Sequence, residues 1–149
     1  MKYVQRVIPS VDFPEEWEGL GKYDLRNAVQ SYMKAHFVGK TIKNEHLLID
    51  IDITVKSCKK TARGEAMYRK KAAVCRILDK LLQYSAYNNF GKRKDDDSPD
   101  IIGYLNFKGY CYIDKRKECV RIAVRFQKGG KFYYSIEVNK KNGSTTQRP

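Results

Sequence analysis

Histidine is nearly absent from this 149-residue chain, which has only His36 and His46. Cysteine is little richer: Cys58, Cys75, Cys111 and Cys119 lie 17, 36 and 8 residues apart, with no Cys-x-x-Cys knuckle. Tetrahedral zinc sites use closer pairs, so neither a metal site nor a cofactor is expected. The cysteines read instead as reduced, small apolar side chains of a cytosolic protein. No apolar run approaches the length of a membrane span, and Met1-Lys2-Tyr3-Val4-Gln5-Arg6 opens without a signal-peptide stretch. Neither a membrane location nor secretion is therefore expected. Internal repeats and linker-like composition are missing too.

Positive charge is what the chain has in excess. Thirty Lys and Arg face 17 Asp and Glu, a net +13, against a globular background of 42% hydrophobic residues. The excess is local: residues 56–94 hold 12 basic and 2 acidic residues. Residues 1–55 are close to neutral. A concentrated basic block marks a polyanion-binding face, while its bland reading is a solvated helix.

Apolar periodicity organises the rest. Leu25, Ala28, Val29 and Tyr32 recur at helical spacing, which predicts a helix from Tyr23 to His36 closed by Gly39. Trp17 reads as a core plug. Ile49, Ile51, Ile53 and Val55 alternate with Asp50, Asp52 and Thr54, as in a half-buried strand with its carboxylates in solvent. A long helix is expected from Glu65 to Tyr87, with Arg69, Arg76 and Lys80 on one face. A loop follows at 91–99, its Asp95-Asp96-Asp97 run solvated. Three strands come next, at 101–113, 119–127 and 131–138, joined by hairpin-length turns. Gly109 suggests a bulge or bend in the first of them.

The expected fold class is α+β, with N-terminal helices packed on one face of a C-terminal antiparallel sheet of about four strands. One domain spans residues 1–139, followed by a disordered tail at 140–149. Alternation assigns Leu105, Phe107, Cys111, Ile113, Val120, Ile122, Val124, Phe126, Phe132, Tyr134, Ile136 and Val138 to the buried face. The other face receives Tyr104, Asn106, Lys108, Tyr110, Tyr112, Arg121, Arg125, Tyr133, Ser135 and Glu137. A face of tyrosines and cations suits single-stranded nucleic acid, because bases stack on rings while cations meet phosphates. With histidine scarce, RNA cleavage there would be metal-independent, using Arg and Lys for charge and Tyr or Lys for proton transfer.

Several segments in order resemble the barnase–EndoU–colicin–RelE-like (BECR) nuclease superfamily, best in the versions found in large polyvalent proteins of phages and mobile elements. They are Ile51-Asp52-Ile53-Thr54-Val55, Lys59-Lys60-Thr61, Cys75-Arg76-Ile77-Leu78-Asp79-Lys80-Leu81-Leu82, Cys119-Val120-Arg121-Ile122-Ala123-Val124 and Gly130-Lys131-Phe132-Tyr133-Tyr134-Ser135. The resemblance implies that Lys60-Thr61 is the basic-hydroxyl pair at a strand-to-helix junction. Ile136 stands where the family often has a histidine. The resulting expectation is a metal-independent endoribonuclease, a toxin or mobile-element effector. Arg121 and Arg125 would hold the scissile phosphate, Lys60 would neutralise charge, and Tyr110 or Tyr133 would move protons. Lys59, Arg63, Arg69, Arg76, Lys80, Tyr104, Lys108, Tyr112 and Ser135 would bind the rest of a single-stranded or transfer RNA. The alternatives are a non-catalytic nucleic-acid-binding module and an interaction domain that meets an acidic antitoxin or immunity protein.

Overall fold

The computed structural model describes residues 7–63 and 68–139. Residues 1–6, which hold most of the short strand or extended arm that the sequence suggests at residues 3–8, the start of the expected long helix at 65–67, and the 140–149 tail lie outside the described residues. After a 3-10 turn at Glu15–Trp17 comes α1 (Lys22–His36) and a hairpin of β1 (Thr41–Asn44) and β2 (Ile49–Asp52). Three short helices follow: α2 (Val55–Thr61), α3 (Arg69–Cys75) and α4 (Leu78–Tyr84). The chain ends in β3 (Ala86–Lys92), β4 (Ile101–Ile113), β5 (Arg116–Gln127) and β6 (Gly130–Val138).

The α+β class holds, but the sheet has six strands rather than about four, in the order β1-β2-β6-β5-β4-β3. It is mixed rather than antiparallel, because β2 runs parallel to β6. That contact is a single pair, Asp52 opposite Phe132, after which the chain turns into α2. Thr54 makes the turn: its hydroxyl accepts the Ser57 amide, satisfying one of the first-turn donors of α2. Val55 consequently belongs to the helix and is exposed.

The long helix is broken. Ile77, at φ −122° and ψ 30°, interrupts it between α3 and α4, and its last helical residue is Tyr84. All residues from Lys70 to Cys75 are buried, so α3 shows no amphipathic stripe by which its length could be read. At its C-terminal end α4 is tied to the β1–β2 hairpin by the buried Asn44. The Asn44 amide donates to the Leu82 and Ser85 carbonyls, at 2.8 and 3.0 Å, while its oxygen accepts the His46 and Leu47 amides.

The core lies between the helices and one face of the sheet. Leu105, Phe107, Val120, Ile122, Val124 and Ile136 meet Val29, Met33, Val74, Leu78 and Leu81 there, and Trp17 closes one side. Gly109 is no bulge, since its pairing with Val120 is in continuous register. Its lack of a side chain admits Ser85 and Ile8, whose atoms a Cβ would meet at 2.5 and 2.7 Å. The β4–β5 turn is the two-residue Asp114-Lys115, both in the left-handed region, so β5 starts at Arg116 rather than Cys119.

A break in alternation decides the site. Ala123 pairs with Ser135 but Val124 pairs with Tyr133, so Tyr134 is an extra, bulged residue. The expected faces of the two tyrosines and of Phe132 are thereby exchanged. Tyr133 is buried in the core, while Tyr134 lies beside Arg125 on the outer face.

Candidate nucleic-acid interface

Cross-strand register arranges the outer face into rows. One row is Tyr104, Arg125 and Phe132, joined by the bulged Tyr134. The next is Asn106, Ala123 and Ser135, and the third is Lys108, Arg121 and Glu137. Successive rows lie two residues apart along a strand, about 6.8 Å. Beyond them stand the exposed Tyr110 and Tyr112.

Cations gather on the first row. Lys60, in the last turn of α2, places its Nζ 3.3 Å from the centre of the Tyr134 ring. The Arg125 guanidinium lies 4.3 Å from the same centre, and Lys94, from the β3–β4 loop, lies 5.7 Å from it. Tyr104 closes the group, its ring 5.1 Å from that of Tyr134. None of these three cations forms an ion pair with a carboxylate among the described residues. The Arg125 Nε is buried and without a hydrogen-bond partner. A buried guanidinium N–H left unmade is costly, and Arg125 also lines an open cleft beside Tyr134. That cleft, of about 260 Å³, is lined by Thr54, Lys56, Ser57, Arg125, Phe132 and Tyr134.

The neighbouring tyrosines are electrostatically opposed. Partial burial raises the Tyr134 phenol, but hydrogen bonding to Lys60 and the charges of Lys60, Lys94 and Arg125 outweigh it and hold the group below its ordinary value. Tyr104 is pushed up to about 12, by burial and by its 2.7 Å donation to the Asp97 carboxylate. Tyr133 is driven well above the ordinary tyrosine value by complete burial beside Cys75 and stays neutral, its hydroxyl 2.5 Å from that of Thr61. Adjacent residues of α2 thus engage adjacent tyrosines: Lys60 meets Tyr134 outside, and Thr61 meets Tyr133 inside.

The other sequence-expected residues are distributed unequally. Lys60, Arg125 and Tyr104 come together, and Ser135 and Lys108 occupy the next rows. Arg121 is four residues from Arg125 on one strand, about 13 Å away, and pairs loosely with Glu137. Tyr110 lies farther along the face, under Lys117 rather than at the cation cluster. Tyr133 is corrected from proton carrier to core residue, because the bulge turns it inward. Arg69 and Arg76 do not reach this face: Arg69 bonds Glu18 and Asp114, and Arg76 stacks over Tyr32 and approaches Glu16. Lys80 lies near Tyr84 on α4, and Lys59 lines a separate cleft against α1 with Lys34. Arg63 is exposed just past α2.

Sequence reasoning missed Lys94, Asp97 and Tyr134. Lys94 and Asp97 sit in a stretch read as solvated loop, yet the Asp97 carboxylate accepts both the Lys94 amide and the Tyr104 hydroxyl, pinning that loop to the sheet. The buried Cys58, Cys75 and Cys111 are free thiols, pushed up by burial to about 11, 12 and 11, which suits packing rather than nucleophilic attack.

No helix among the described residues is long and apolar enough to cross a membrane. No curated protein and no solved structure gives a significant match. A family model does match, over residues 21–134, from just before α1 to the bulged Tyr134, and so includes Lys60, Lys94, Tyr104 and Arg125. By that match across most of its length, the chain belongs to the large polyvalent protein-associated domain 3 family, the polyvalent type associated with phages and mobile elements.

Proposed function

We propose that this domain binds single-stranded RNA across the outer face of its sheet and cleaves it, without a metal ion, at Tyr134. The observation that carries the reading is the convergence of Lys60, Lys94 and Arg125 on one phenol, beside a buried guanidinium N–H with no partner. Three cations without a direct ion pair, set against the single nearby carboxylate of Asp97, surround a partly buried acid, favour its ionised form and attract a phosphodiester to the same point. The resemblance to BECR nucleases agrees with this chemistry, but Lys60-Thr61 closes α2 instead of standing at the strand-to-helix junction where the resemblance put it.

In the proposed step the Tyr134 phenolate takes the proton of a ribose 2′-hydroxyl, and the freed 2′-oxygen attacks the adjacent phosphorus. Arg125 and Lys94 stabilise the charge on the non-bridging oxygens. The bond from phosphorus to the 5′-oxygen breaks, and that oxygen takes a proton from the Lys60 ammonium. The products are a 2′,3′-cyclic phosphate and a 5′-hydroxyl. The Tyr134 phenol then returns its proton to the neighbouring Lys60 amine, restoring both groups.

The test is to incubate the full chain with end-labelled single-stranded RNA in excess chelator. Fragments ending in 2′,3′-cyclic phosphate are expected, and Arg125→Ala should lower their rate. Intact RNA that shifts on a gel, less so as salt rises, would reduce the reading to binding alone. Intact and unshifted RNA would overturn it.

A further inference from the structure

The row beside the cation cluster has a different character. Asn106, Ala123 and Ser135 carry no charge, yet they lie between the Tyr104–Arg125 row and the Lys108–Arg121–Glu137 row. Ala123 is the smallest side chain among them, so the row forms a trough. Two clefts meet there, of about 240 Å³ toward Tyr104 and Tyr134 and about 290 Å³ toward Arg121 and Glu137, and both are lined by Asn106 and Ala123. Amides edge the trough: Asn106 donates to the Asn89 side chain at 2.9 Å, and Asn88 stands on the same side. That bond leaves the Asn106 oxygen as an acceptor and further N–H donors on Asn89.

A phosphate gains nothing in a neutral slot between two charged rows. A flat heteroaromatic ring does: it covers the small floor, meets aromatic walls at one end, and finds donors and acceptors along its edge. The spacing fits, because the trough lies one row, about 6.8 Å, from Arg125. We propose that the Ala123 trough is a nucleobase subsite, holding the base of the nucleotide whose phosphate sits at Arg125. This rests on the phosphate-centre reading above, and adds that the ligand is recognised by its base as well as by its charge.

The test compares the full chain's affinity for a ribo-oligonucleotide and for an abasic oligomer of equal length and charge. The base-bearing chain is expected to bind about tenfold more tightly. Ala123→Leu, which fills the trough from a partly exposed position, should remove that advantage and leave abasic binding unchanged. Asn88→Ala, on the exposed strand edge, should reduce it by a smaller factor without risk to the fold. Arg125→Ala should weaken both ligands. Equal affinity of the native chain for both, or an advantage that survives Ala123→Leu, overturns the subsite and leaves the phosphate centre standing. Failure of the native chain to bind either ligand overturns both.

Discussion

Two groups of cations from the same basic chain have opposite settings. On the helical side, Arg69 is held by Glu18 and Asp114, Lys70 by Glu118, and Arg76 lies near Glu16. Arg69 and Arg76 also stack on Phe13, Trp17 and Tyr32. On the outer sheet face, Lys60, Lys94 and Arg125 surround tyrosines and meet no carboxylate in ion-pair geometry among the described residues. The contrast separates two uses of positive charge. Neutralised cations position elements, whereas unneutralised ones facing an open cleft are available to a polyanion. Composition counts both alike, so the charge block between residues 56 and 94 overstates the proposed binding surface on α3 and understates it on β5.

The largest effect expected from this comparison is on stability. Lys70 and Glu118 pair at 3.1 Å, both below a tenth exposed. Removing one partner strands the other charge in the interior, which costs ~3–5 kcal/mol. Lys70→Met should therefore lower the unfolding midpoint in urea sharply, while a Lys70→Met/Glu118→Leu double variant recovers much of the loss. Neither outcome should involve RNA. If Lys70→Met left stability unchanged and weakened RNA binding, the division between the two groups would fail.

Next comes Arg125→Ala. Removing one donor aimed at developing charge typically costs about 10²–10³ in rate. The loss of Arg125 removes stacking on Tyr134 and Tyr104 but also a buried N–H without a partner, so the melting temperature should fall only slightly. Measuring the cleavage rate and the melting curve on one preparation distinguishes this from collapse of the sheet.

Tyr134→Phe sharpens the comparison through pH. The phenol's acid constant is shifted so that ionisation occurs below the ordinary value near 10. In the proposed mechanism the active form is the phenolate, so the rate should rise with pH and level off below that value. The phenylalanine variant should lose about 100-fold and lose the rising limb with it. In stability the sign follows from the lowered value: the folded state favours the phenolate, so this group's contribution is fully present above the unfolded value. It vanishes as pH falls through the folded one. At neutral pH, Tyr134→Phe should thus act on rate and not through this linkage on stability.

Much of this arrangement was legible in the sequence. The period-3.6 pattern of α1, the alternation of β2 and the long β4 and β5 needed no tertiary information, and Tyr104, Arg125 and Lys60 could be picked out, though Lys60-Thr61 ends α2 and does not stand at a strand-to-helix junction. Three features had no local signal. The strand β3 is a polar edge, Asn88-Asn89-Phe90-Gly91, whose pairing to β4 comes from its neighbour rather than from its own apolar pattern. Burial all round α3 hides its end. Above all, a bulge is invisible to a rule of strict alternation, and adjacent Tyr133 and Tyr134 are equally plausible on either face. One extra residue exchanged a core tyrosine for the one among the cations.

The smallest expected effect closes the comparison from the structural side. The pKa of Arg69 is raised above its ordinary value, chiefly by its hydrogen bonds to Glu18 and then to Asp114. Its side chain remains half exposed, so solvent and salt screen those pairs. Arg69→Ala should lower the melting temperature only slightly, by an amount that shrinks with added salt, though part persists because the guanidinium also covers Phe13 at 4.3 Å. RNA cleavage and its salt slope should match the unmodified chain if, as proposed, Arg69 lies off the RNA-binding face. A shallower salt dependence of RNA binding in Arg69→Ala would place this arginine on the binding surface, and would show that a carboxylate partner does not withdraw a cation from it.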